Sequence, residues 1–539
     1  MRRYSLRSSA ARKFKTESEI PSMKPGLFLG LKILLATFVL SVGTPSYAAL
    51  SPQAQNKIHP LLLRAVDRQD TQIEALLQLK TKADAELLDP QQDYLARRRA
   101  WVSMLRSTAS DEQAELLAWL DARHIEYRAF WINNTVWVRA DAATVMTLAE
   151  RSDVVALDPN TPYKNRLPTA QPIAAATASP DAIEATEWGV TRINAPLVWA
   201  AGITGQGVVI AGEDTGYRWD HNALKAKYRG WNGTAADHNY NWHDAIHVAN
   251  ASCVADTQAP CDDDGHGTHT VGTMLGDDGA SNKIGVAPGA RWIGCRNMDA
   301  GDGTPARYIE CMQWMMAPTD LTNQNPQPDL APDLISNSWG CPSSEGCVTG
   351  QELVDAVNNV VAAGIFFAAA AGNDGSANST GCATIFDAPA IYDSAFIVAA
   401  TTNATPDGVS SFSSRGPVSG AARVLPDAGA PGSNIRSASS TTVSTYATLS
   451  GTSMATPHVA GAAALLMATN PALKGHPDQI ANLLRSTALH INGGTQSCGG
   501  IAATTFPNPV QGSGRIDVYA AFQVAEKIFK DGFGNDANN

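Results

Sequence analysis

Residues Val208–Gly216 have the sequence VVIAGEDTG, in which a continuous apolar run ends at an acidic residue, Asp214, just before a turn at Gly216. Apolar runs without polar alternation are typical of parallel strands that have helices over both faces. Three further stretches share this pattern: Leu334–Ile335, Ile365–Ala370 and Phe396–Ala400. Helical patterns lie between them, as in Glu352–Ala363 and Ala455–Thr469. The sequence therefore predicts an α/β fold, a parallel sheet sandwiched by helices.

A smaller α+β unit is predicted ahead of this region, over residues 50–158. Its apolar patterns follow the order β-α-β-β-α-β, which is the ferredoxin-like arrangement. The predicted elements are, in chain order, Gln72–Leu79, Gln92–Ala122, Ile125–Ile132, Thr135–Arg139, Ala142–Arg151 and Asp153–Leu157. Asn133-Asn134 is expected to form the tight turn between the two middle strands.

Changes in composition define the remaining boundaries. Residues 159–187 contain five prolines and an Ala/Thr run, so we expect an exposed linker that is easily cut. Residues 188–527 are predicted to form the larger α/β domain. Residues 528–539 are rich in Gly, Asn and Asp, which predicts a disordered tail.

The N-terminus has the pattern of a secretory signal peptide over residues 1–48. The apolar run Gly26–Val42 follows several basic residues and precedes Ser46–Ala48, whose small residues suit cleavage after Ala48 or Ala49. The alternative is an uncleaved membrane anchor, for which the run is short. We therefore expect a secreted or periplasmic protein with no membrane attachment after cleavage.

Charge and cysteine content narrow the class of protein further. With 40 Lys and Arg against 51 Asp and Glu, the net charge is −11, which argues against a nucleic-acid partner. Eight cysteines in an exported chain predict disulfides, for which Cys253–Cys261 and Cys341–Cys347 are the closest pairs in sequence. A zinc site is disfavoured, because the sequence has no C-x-x-C pair.

Two histidines lie close together in Gly265–Thr273, which reads GHGTHTVGT. His266 and His269 share one face if this segment is helical, and Gly267 lets another backbone segment approach closely. Three interpretations are open from the residues alone. His266 could be a general base, the two histidines could be metal ligands, or both could be structural.

Two further segments carry polar residues at the ends of apolar elements. Ala368–Asp374, AAAAGND, presents Asn373 after a buried strand, where an amide can donate to a developing oxyanion, although a loop asparagine after a glycine is common. Gly451–His458, GTSMATPH, contains Ser453 where an apolar helix begins. A serine there is either a simple N-cap or a nucleophile beside the positive end of the helix.

Taken together, these segments resemble the subtilisin-like serine peptidases, the subtilase family. The order Asp214, His266, Ser453 is that of the subtilisin-type triad. The family's sequence blocks are matched by VVIAGEDTG, GHGTHTVGT, SNSWG at 336–340, AAAAGND, FSSRGP at 412–417, APG at 430–432 and GTSMATPHVAG. The resemblance spans about residues 188–525, and the segment after Asp214 is most similar to the bacillopeptidase F-like branch.

The resemblance implies a role for each matching residue. Ser453 matches the nucleophile, His266 the general base, and Asp214 the acid that orients the imidazole. Asn373 matches the oxyanion donor, with the Ser453 N–H as its partner. The matching substrate-binding positions are Ser338, Trp339, Gly340 and Gly372. The implied chemistry is peptide hydrolysis through an acyl-enzyme, with protein or peptide substrates and no cofactor required.

The resemblance also gives a role to the neighbouring residues. His269 matches a structural histidine of the family, which disfavours the metal interpretation. Residues 50–158 resemble the family's propeptide, an intramolecular chaperone and inhibitor, with self-cleavage expected in the linker at 159–187. The alternative is a permanently attached accessory domain.

Specificity and calcium binding are less well defined by the sequence. Asp387 aligns roughly with the segment that lines the first substrate pocket, where an acid favours Lys or Arg, but it could equally face solvent. Calcium is common in the family, and Asp262-Asp263-Asp264 and Asp277-Asp278 are candidate ligands. Acidic loops are usually only solvated, so no metal site is assigned.

We therefore expect a secreted serine endopeptidase made as a zymogen. The rival from another class is a catalytically silent protein of the same fold that serves as a binding module or scaffold. A third hypothesis, a metal-binding H-x-x-H protein, predicts sensitivity to chelators rather than to serine reagents.

Overall fold

The predicted parallel sheet is present in a computed structural model of the chain. The structure describes residues 50–89, 92–165, 167–168, 186–248, 252–347, 349–491 and 496–534. The predicted signal peptide, residues 1–48, lies outside the described residues, as does most of the linker, from 169 to 185. No described helix is both long enough and apolar enough to cross a bilayer.

The N-terminal part has the predicted ferredoxin-like order. Its elements are α1 (Pro52–Lys57), α2 (Pro60–Asp67), β1 (Ile73–Leu79), α3 (Tyr94–Asp121), β2 (Glu126–Phe130), β3 (Thr135–Ala140), α4 (Ala142–Ala149) and β4 (Val154–Pro159). The four strands pair antiparallel in the order β2-β3-β1-β4. The connection between β2 and β3 spans residues 131–134, so it is longer than the predicted two-residue turn at Asn133-Asn134, although Asn134 does adopt a positive φ of 51°. The helices α1 and α2 were not predicted.

The larger part follows the N-terminal sheet and begins with a short strand, Tyr163–Lys164, which pairs with Asp302–Gly303. Its elements up to the middle of the sheet are β5 (Tyr163–Lys164), α5 (Trp188–Arg192), α6 (Ala195–Ala200), β6 (Val209–Asp214), β7 (Trp242–Asp244), α7 (His266–Leu275), β8 (Arg291–Arg296), β9 (Met298–Asp299), β10 (Asp302–Gly303), α8 (Pro305–Met316) and β11 (Leu334–Asn337). The remaining elements are α9 (Val354–Ala362), β12 (Phe366–Ala370), β13 (Phe396–Thr401), β14 (Ala428–Pro431), β15 (Ile435–Ala438), β16 (Tyr446–Leu449), α10 (Thr452–Thr469), α11 (Pro477–Ser486) and α12 (Val518–Gly534).

Seven described strands form one parallel sheet in the order β14-β13-β12-β11-β6-β8-β7. Its register pairs Asn337 at the end of β11 with Glu213 of β6 and with Ala369 of β12. The carboxyl ends of these three central strands therefore lie side by side. Ligands of open parallel sheets bind at this edge, so residues that follow the strands are brought to one place.

Helices cover both faces of the sheet, which explains the unbroken apolar runs. In β12, Phe366 and Ala368 pack into an apolar cluster that includes α10. The alternate residues Phe367 and Ala369 pack into a second cluster that includes α8 and α9. Since both faces are buried, a polar residue on either face would have to be desolvated.

The N-terminal sheet shares the second of these apolar clusters. Trp101 of α3 and Phe130 of β2 pack in the same cluster as Met312 of α8 and Val357 of α9. The indole N–H of Trp101 also donates to the backbone oxygen of Asn359 at 3.1 Å. The N-terminal unit is thus attached to α8 and α9 through buried side chains.

All eight cysteines lie within the described residues and all are paired. The predicted pairs Cys253–Cys261 and Cys341–Cys347 are confirmed. The other two bridges are Cys295–Cys311, which joins β8 to α8, and Cys382–Cys498, whose residues are 116 apart in sequence. These two could not be chosen from spacing, because they depend on the tertiary fold.

Two segments that were predicted to be unstructured are partly ordered. Tyr163–Lys164, within the predicted linker, pairs antiparallel with Asp302–Gly303. The backbone groups of this segment are satisfied by a neighbouring strand, so it needs no core of its own. At the other end, α12 continues to Gly534, into the predicted disordered tail at 528–539. Residues 535–539 lie outside the described residues.

Candidate active site

Asp214 and His266 form a buried pair at the carboxyl edge of the sheet. Asp214 is the last residue of β6, and His266 is the first residue of α7. The His266 Nδ1 atom lies 2.7 Å from Asp214 Oδ1, and each residue is only 1% exposed. Because an ionised carboxylate can only accept, Nδ1 carries the proton in this contact. The lone pair of the neutral imidazole is therefore on Nε2.

The environment of His266 keeps this imidazole basic. Burial lowers the pKa of His266, but the Asp214 charge and hydrogen bond, with smaller contributions from Asp264 and Asp262, outweigh it. The pKa of His266 is therefore raised above its ordinary value. Its Nε2 atom is buried and has no hydrogen-bond partner among the described residues. A buried, unpartnered ring nitrogen is available to accept a proton from a nearby group.

Gly267 allows α7 to start this close to β6. A Cβ atom placed on Gly267 would lie 2.1 Å from the backbone oxygen of Gly216 and 3.1 Å from the Cβ of Asp214. Contacts that short do not occur, so a larger residue would push α7 away from the strand end. The sequence predicted that Gly267 lets another backbone segment approach closely, and this approach is what brings His266 to Asp214.

Ser453 lies in the first turn of α10 and is not its N-cap. The N-cap is Gly451, which makes no side-chain capping bond, so the interpretation of Ser453 as a simple cap is wrong. The Ser453 hydroxyl donates to the backbone oxygen of Ser338 at 3.0 Å, and the Ser338 hydroxyl donates to the backbone oxygen of Ser453 at 3.0 Å. No hydrogen bond joins Ser453 to His266 in this structure, although α7 and α10 pack together.

Asn373 is oriented by the residue that precedes Ser453. Its side-chain oxygen accepts hydrogen bonds from the backbone N–H of Thr452 at 2.9 Å and from the Thr452 hydroxyl at 3.1 Å. Two donors on the oxygen fix the amide orientation, because the NH₂ group must then point the other way. Thr452 was not identified from the sequence, although it is part of the GTS segment.

The remaining predicted site residues line one cavity together with Ser453. This cavity has a volume of about 290 Å³. The predicted residues that line it are Ser338, Trp339, Gly340, Gly372, Asn373 and Ser453. Trp339 is buried, and its ring stacks on Tyr308 with the centroids 3.8 Å apart. Asp214 and His266 are not among the residues that line the cavity.

Part of the chain's own predicted linker reaches this cavity. Tyr163, Asn165 and Leu167 all contribute to its lining. The backbone pairing of β5 with β10 continues at Asn165, whose N–H donates to the oxygen of Gly301 at 2.9 Å. Tyr163–Asn165 is therefore held as an extended strand at the cavity that Ser453 also lines, in the manner of a bound peptide.

Residues 301–303 form the other side of this strand pairing and were not predicted to be functional. A Cβ atom on Gly303 would lie 1.8 Å from the hydroxyl of Tyr308, so only glycine fits there. The glycines in Gly301-Asp302-Gly303 were the available sequence signal. Further along the chain, Pro168 lies against Gly451, the N-cap of α10. A Cβ atom on Gly451 would be 2.6 Å from the Cγ atom of Pro168.

His269 has a structural role, consistent with the resemblance. Its Nε2 contacts the backbone oxygens of Ile435 at 3.0 Å and Ala447 at 3.2 Å, which requires a donating N–H. Burial, together with the nearby His266, lowers the pKa of His269 to about 3. A neutral imidazole that donates to two carbonyl oxygens joins α7 to the β15–β16 hairpin and is not directed at a metal.

The candidate calcium ligands make contacts within the protein itself. Asp262 accepts the backbone N–H of Gly265, and Asp263 pairs with the guanidinium of Arg296 at 3.0 Å. The carboxylates of Asp277-Asp278 accept N–H groups of their own loop. Calcium needs several carboxylate or carbonyl oxygens that are free to converge. Within the described ranges, no group of three or more His, Cys, Asp or Glu could hold a metal ion.

Comparison with known proteins assigns the larger domain to the family that the sequence motifs resemble. A family model described as the subtilase family, peptidase S8, matches residues 205–515. The chain is 36% identical over 420 residues to Bacillopeptidase F of Bacillus subtilis (strain 168), an alignment that covers 76% of this chain but 28% of that protein. It is 32% identical over 305 residues to Subtilisin DY of Bacillus licheniformis, covering 56% of this chain and 92% of that protein.

Proposed function

The chain belongs to the subtilase family, and from this we propose that it is an exported serine endopeptidase that is made as a zymogen. Ser453 is the nucleophile, His266 the general base, and Asp214 the group that orients the imidazole. Asn373 donates to the oxyanion. The observation that carries the proposal is the buried Asp214–His266 pair, whose Nε2 has no partner among the described residues, at the edge of the sheet where Ser453 lies in the first turn of α10.

The reaction begins with a proton transfer. Rotation about the Cα–Cβ bond of Ser453 moves its hydroxyl from the Ser338 oxygen toward His266 Nε2. His266 then accepts the hydroxyl proton while the serine oxygen attacks the peptide carbonyl. Asp214 stabilises the imidazolium that forms, through the contact to Nδ1. The pair therefore raises the basicity of Nε2 at the moment when the serine must lose its proton.

Charge on the carbonyl oxygen is balanced by the groups around Asn373. The amide NH₂ of Asn373 and the backbone N–H of Ser453 are the two donors, and the first turn of α10 adds a favourable dipole. His266 next gives its proton to the leaving amine. Water, deprotonated by the same imidazole, then releases the acyl group from Ser453.

The N-terminal unit, residues 50–158, acts as a folding aid and inhibitor. Its support is Tyr163–Asn165, which follows this unit in the chain, pairs with β10 and lines the cavity beside Ser453. An extended strand in that position excludes other peptides. Cleavage in the linker after this strand would detach the unit from the catalytic domain.

Contacts outside the cavity hold the unit in this position. Gln313 of α8 accepts the backbone N–H groups of Trp131 at 2.6 Å and Ile132 at 3.2 Å. The Asn160 side chain accepts the N–H of Ala306 at 2.9 Å, near the start of α8. These contacts add to the shared apolar cluster, so the unit binds in one orientation and brings Tyr163 and Asn165 to the cavity.

Export is supported by the chemistry of the cysteines. All eight are paired, and such bridges persist in oxidising compartments. The proposed signal peptide, residues 1–48, fits this location. The alternative, a silent scaffold of the same fold, is disfavoured by the retained Asp214–His266 contact, which a binding module would not need.

N-terminal sequencing of the secreted protein tests the zymogen proposal. The full chain would be produced in an exporting host, and a fluorophosphonate would report the reactive serine. We expect a labelled species whose first residue falls within 166–170, because Asn165 and Leu167 line the cavity together with Ser453. A labelled protein that begins near Leu50 would mean that the N-terminal unit is a permanent accessory domain. A processed protein that never labels would favour the scaffold.

Replacing Asn373 with alanine is expected to lower kcat by about 10²–10³, with a small change in KM, because one oxyanion donor is lost. Initial rates on a peptide substrate measure the effect, and thermal unfolding checks that the variant is folded. Asn378→Ala is the matched control, since that exposed amide caps only its own loop. If a folded Asn373→Ala variant keeps the wild-type kcat, Asn373 is not the oxyanion donor.

A further inference from the structure

The cavity beside Ser453 has a negatively charged wall. Two carboxylates, Asp374 and Asp387, line it, and none of its described lining residues is Lys, Arg or His. Part of the remaining lining is small, with Ala370, Ala371 and Ala390, and part is bulky, with Trp339 and Phe386. The alanines leave room for a long side chain, and no described lining residue brings a positive charge.

Asp387 lies against Gly340, one of the predicted substrate-binding residues. A Cβ atom on Gly340 would lie 3.4 Å from the Asp387 Cβ and 3.6 Å from its Oδ2. The backbone N–H of Cys341 donates to the oxygen of Ala388 at 2.7 Å, which ties the two chain segments together. Asp387 is half-buried, so its charge is less screened than that of a surface carboxylate. The structure thus assigns Asp387 to the cavity wall and not to open solvent.

The part of the linker that reaches the cavity supplies a second observation. Asn165 and Leu167 both line the cavity, and the residue between them in the sequence is Arg166. Arg166 lies outside the described residues. In the sequence, an arginine therefore connects two described residues that line the cavity.

We propose that Asp387 makes the enzyme selective for peptide bonds that follow arginine or lysine. The residue before the scissile bond, P1, extends into the cavity, where its cation pairs with the Asp387 carboxylate. The same selectivity directs processing to the bond after Arg166. This inference rests on the proposed peptidase activity and adds the substrate class to it.

Paired substrates measure the selectivity of the full-length, exported and self-processed protein. Three fluorogenic peptides would differ only at P1, which is arginine, citrulline or phenylalanine. Citrulline has nearly the shape of arginine but no charge, so the ratio of kcat/KM for these two reports the ion pair. We expect a ratio of about 10² for the wild type, since an uncharged analogue leaves the carboxylate unpaired. A ratio near 1, or a preference for phenylalanine, would overturn the proposal.

The variant Asp387→Asn is expected to lower kcat/KM for the arginine substrate by about 10², and to change it less than threefold for the phenylalanine substrate. Asp374→Asn, which removes the other carboxylate of the cavity, is the control and is expected to keep the preference for arginine. If Asp387→Asn does not mature by itself, its precursor can be processed with a trace of wild-type enzyme. Equal losses on all three substrates would show a structural role for Asp387 instead.

Labelling separates failure of this inference from failure of the proposed function. All rates would be divided by the concentration of sites that react with the fluorophosphonate. An enzyme that labels and hydrolyses the phenylalanine peptide best keeps the proposed function and contradicts the role of Asp387. A protein that neither labels nor cleaves any of the peptides contradicts both.

Discussion

Replacing Ser453 with alanine is expected to lower kcat for peptide hydrolysis by about 10⁶, because no other group can form the acyl-enzyme. The variant should also lose labelling by a fluorophosphonate, and its precursor should stay uncut. The fold should survive, since the lost hydroxyl makes one hydrogen bond, to Ser338. Rates, labelling and the size of the secreted product are the three measurements.

The matched control for this prediction is Ser376→Ala. Ser376 is an exposed serine in the loop that follows Asn373, and its one described hydrogen bond, to the Ser411 oxygen, is long at 3.5 Å. This variant should label, mature and hydrolyse peptide like the wild type. If Ser453→Ala still labels or matures by itself, the nucleophile is another residue, and the assignment of the whole site falls with it.

Replacing Asp214 with asparagine is expected to lower kcat by about 10⁴ near neutral pH. The amide would donate to His266 Nδ1, so the imidazole would carry its proton on Nε2. That nitrogen could then no longer accept the Ser453 proton. The geometry should be preserved, because asparagine has the shape of aspartate, and thermal unfolding would check this.

The pH dependence of the same variants tests the electrostatic part of the argument. Activity requires neutral His266, and the Asp214 contact raises the pKa of His266. In a plot of kcat/KM against pH, the wild-type activity should therefore fall on the acid side with a midpoint above pH 6.5. Asp264→Asn, which removes a weaker and exposed negative charge, should move this midpoint slightly to lower pH with little loss of kcat. A wild-type optimum in the acid range, or an Asp214→Asn variant of normal kcat, would contradict the proposed roles.

Much of the fold could be predicted from the sequence because its strands are buried on both faces. Phe396–Ala400 was predicted as a strand, and the structure has Phe396–Thr401. The strand β8 was missed because it begins and ends with arginine. Arg296 is buried there, with Asp244 and Asp263 as its partners. A charge that is compensated across such sequence distances cannot be recognised from local patterns.

The site divides in the same way between local and long-range information. Asp214, His266, Asn373 and Ser453 each lie in a short motif, so the sequence identified them. The hydrogen bond from Ser453 to Ser338 was not predicted, and neither was the position of Tyr163 and Asn165 at the same cavity. They depend on how distant parts of the chain fold together, for which no local pattern exists.

The bridge Cys382–Cys498 has a consequence for the lifetime of a protease among its own copies. It encloses Ser453 in a covalent loop, and this loop includes two exposed stretches, 403–406 and 441–444. A single nick in either stretch leaves both new ends tethered, so no fragment is released. The nicked domain can remain assembled through its buried sheet and helices. The disulfide therefore converts self-digestion, which would otherwise dismantle the catalytic domain, into damage that the molecule can survive.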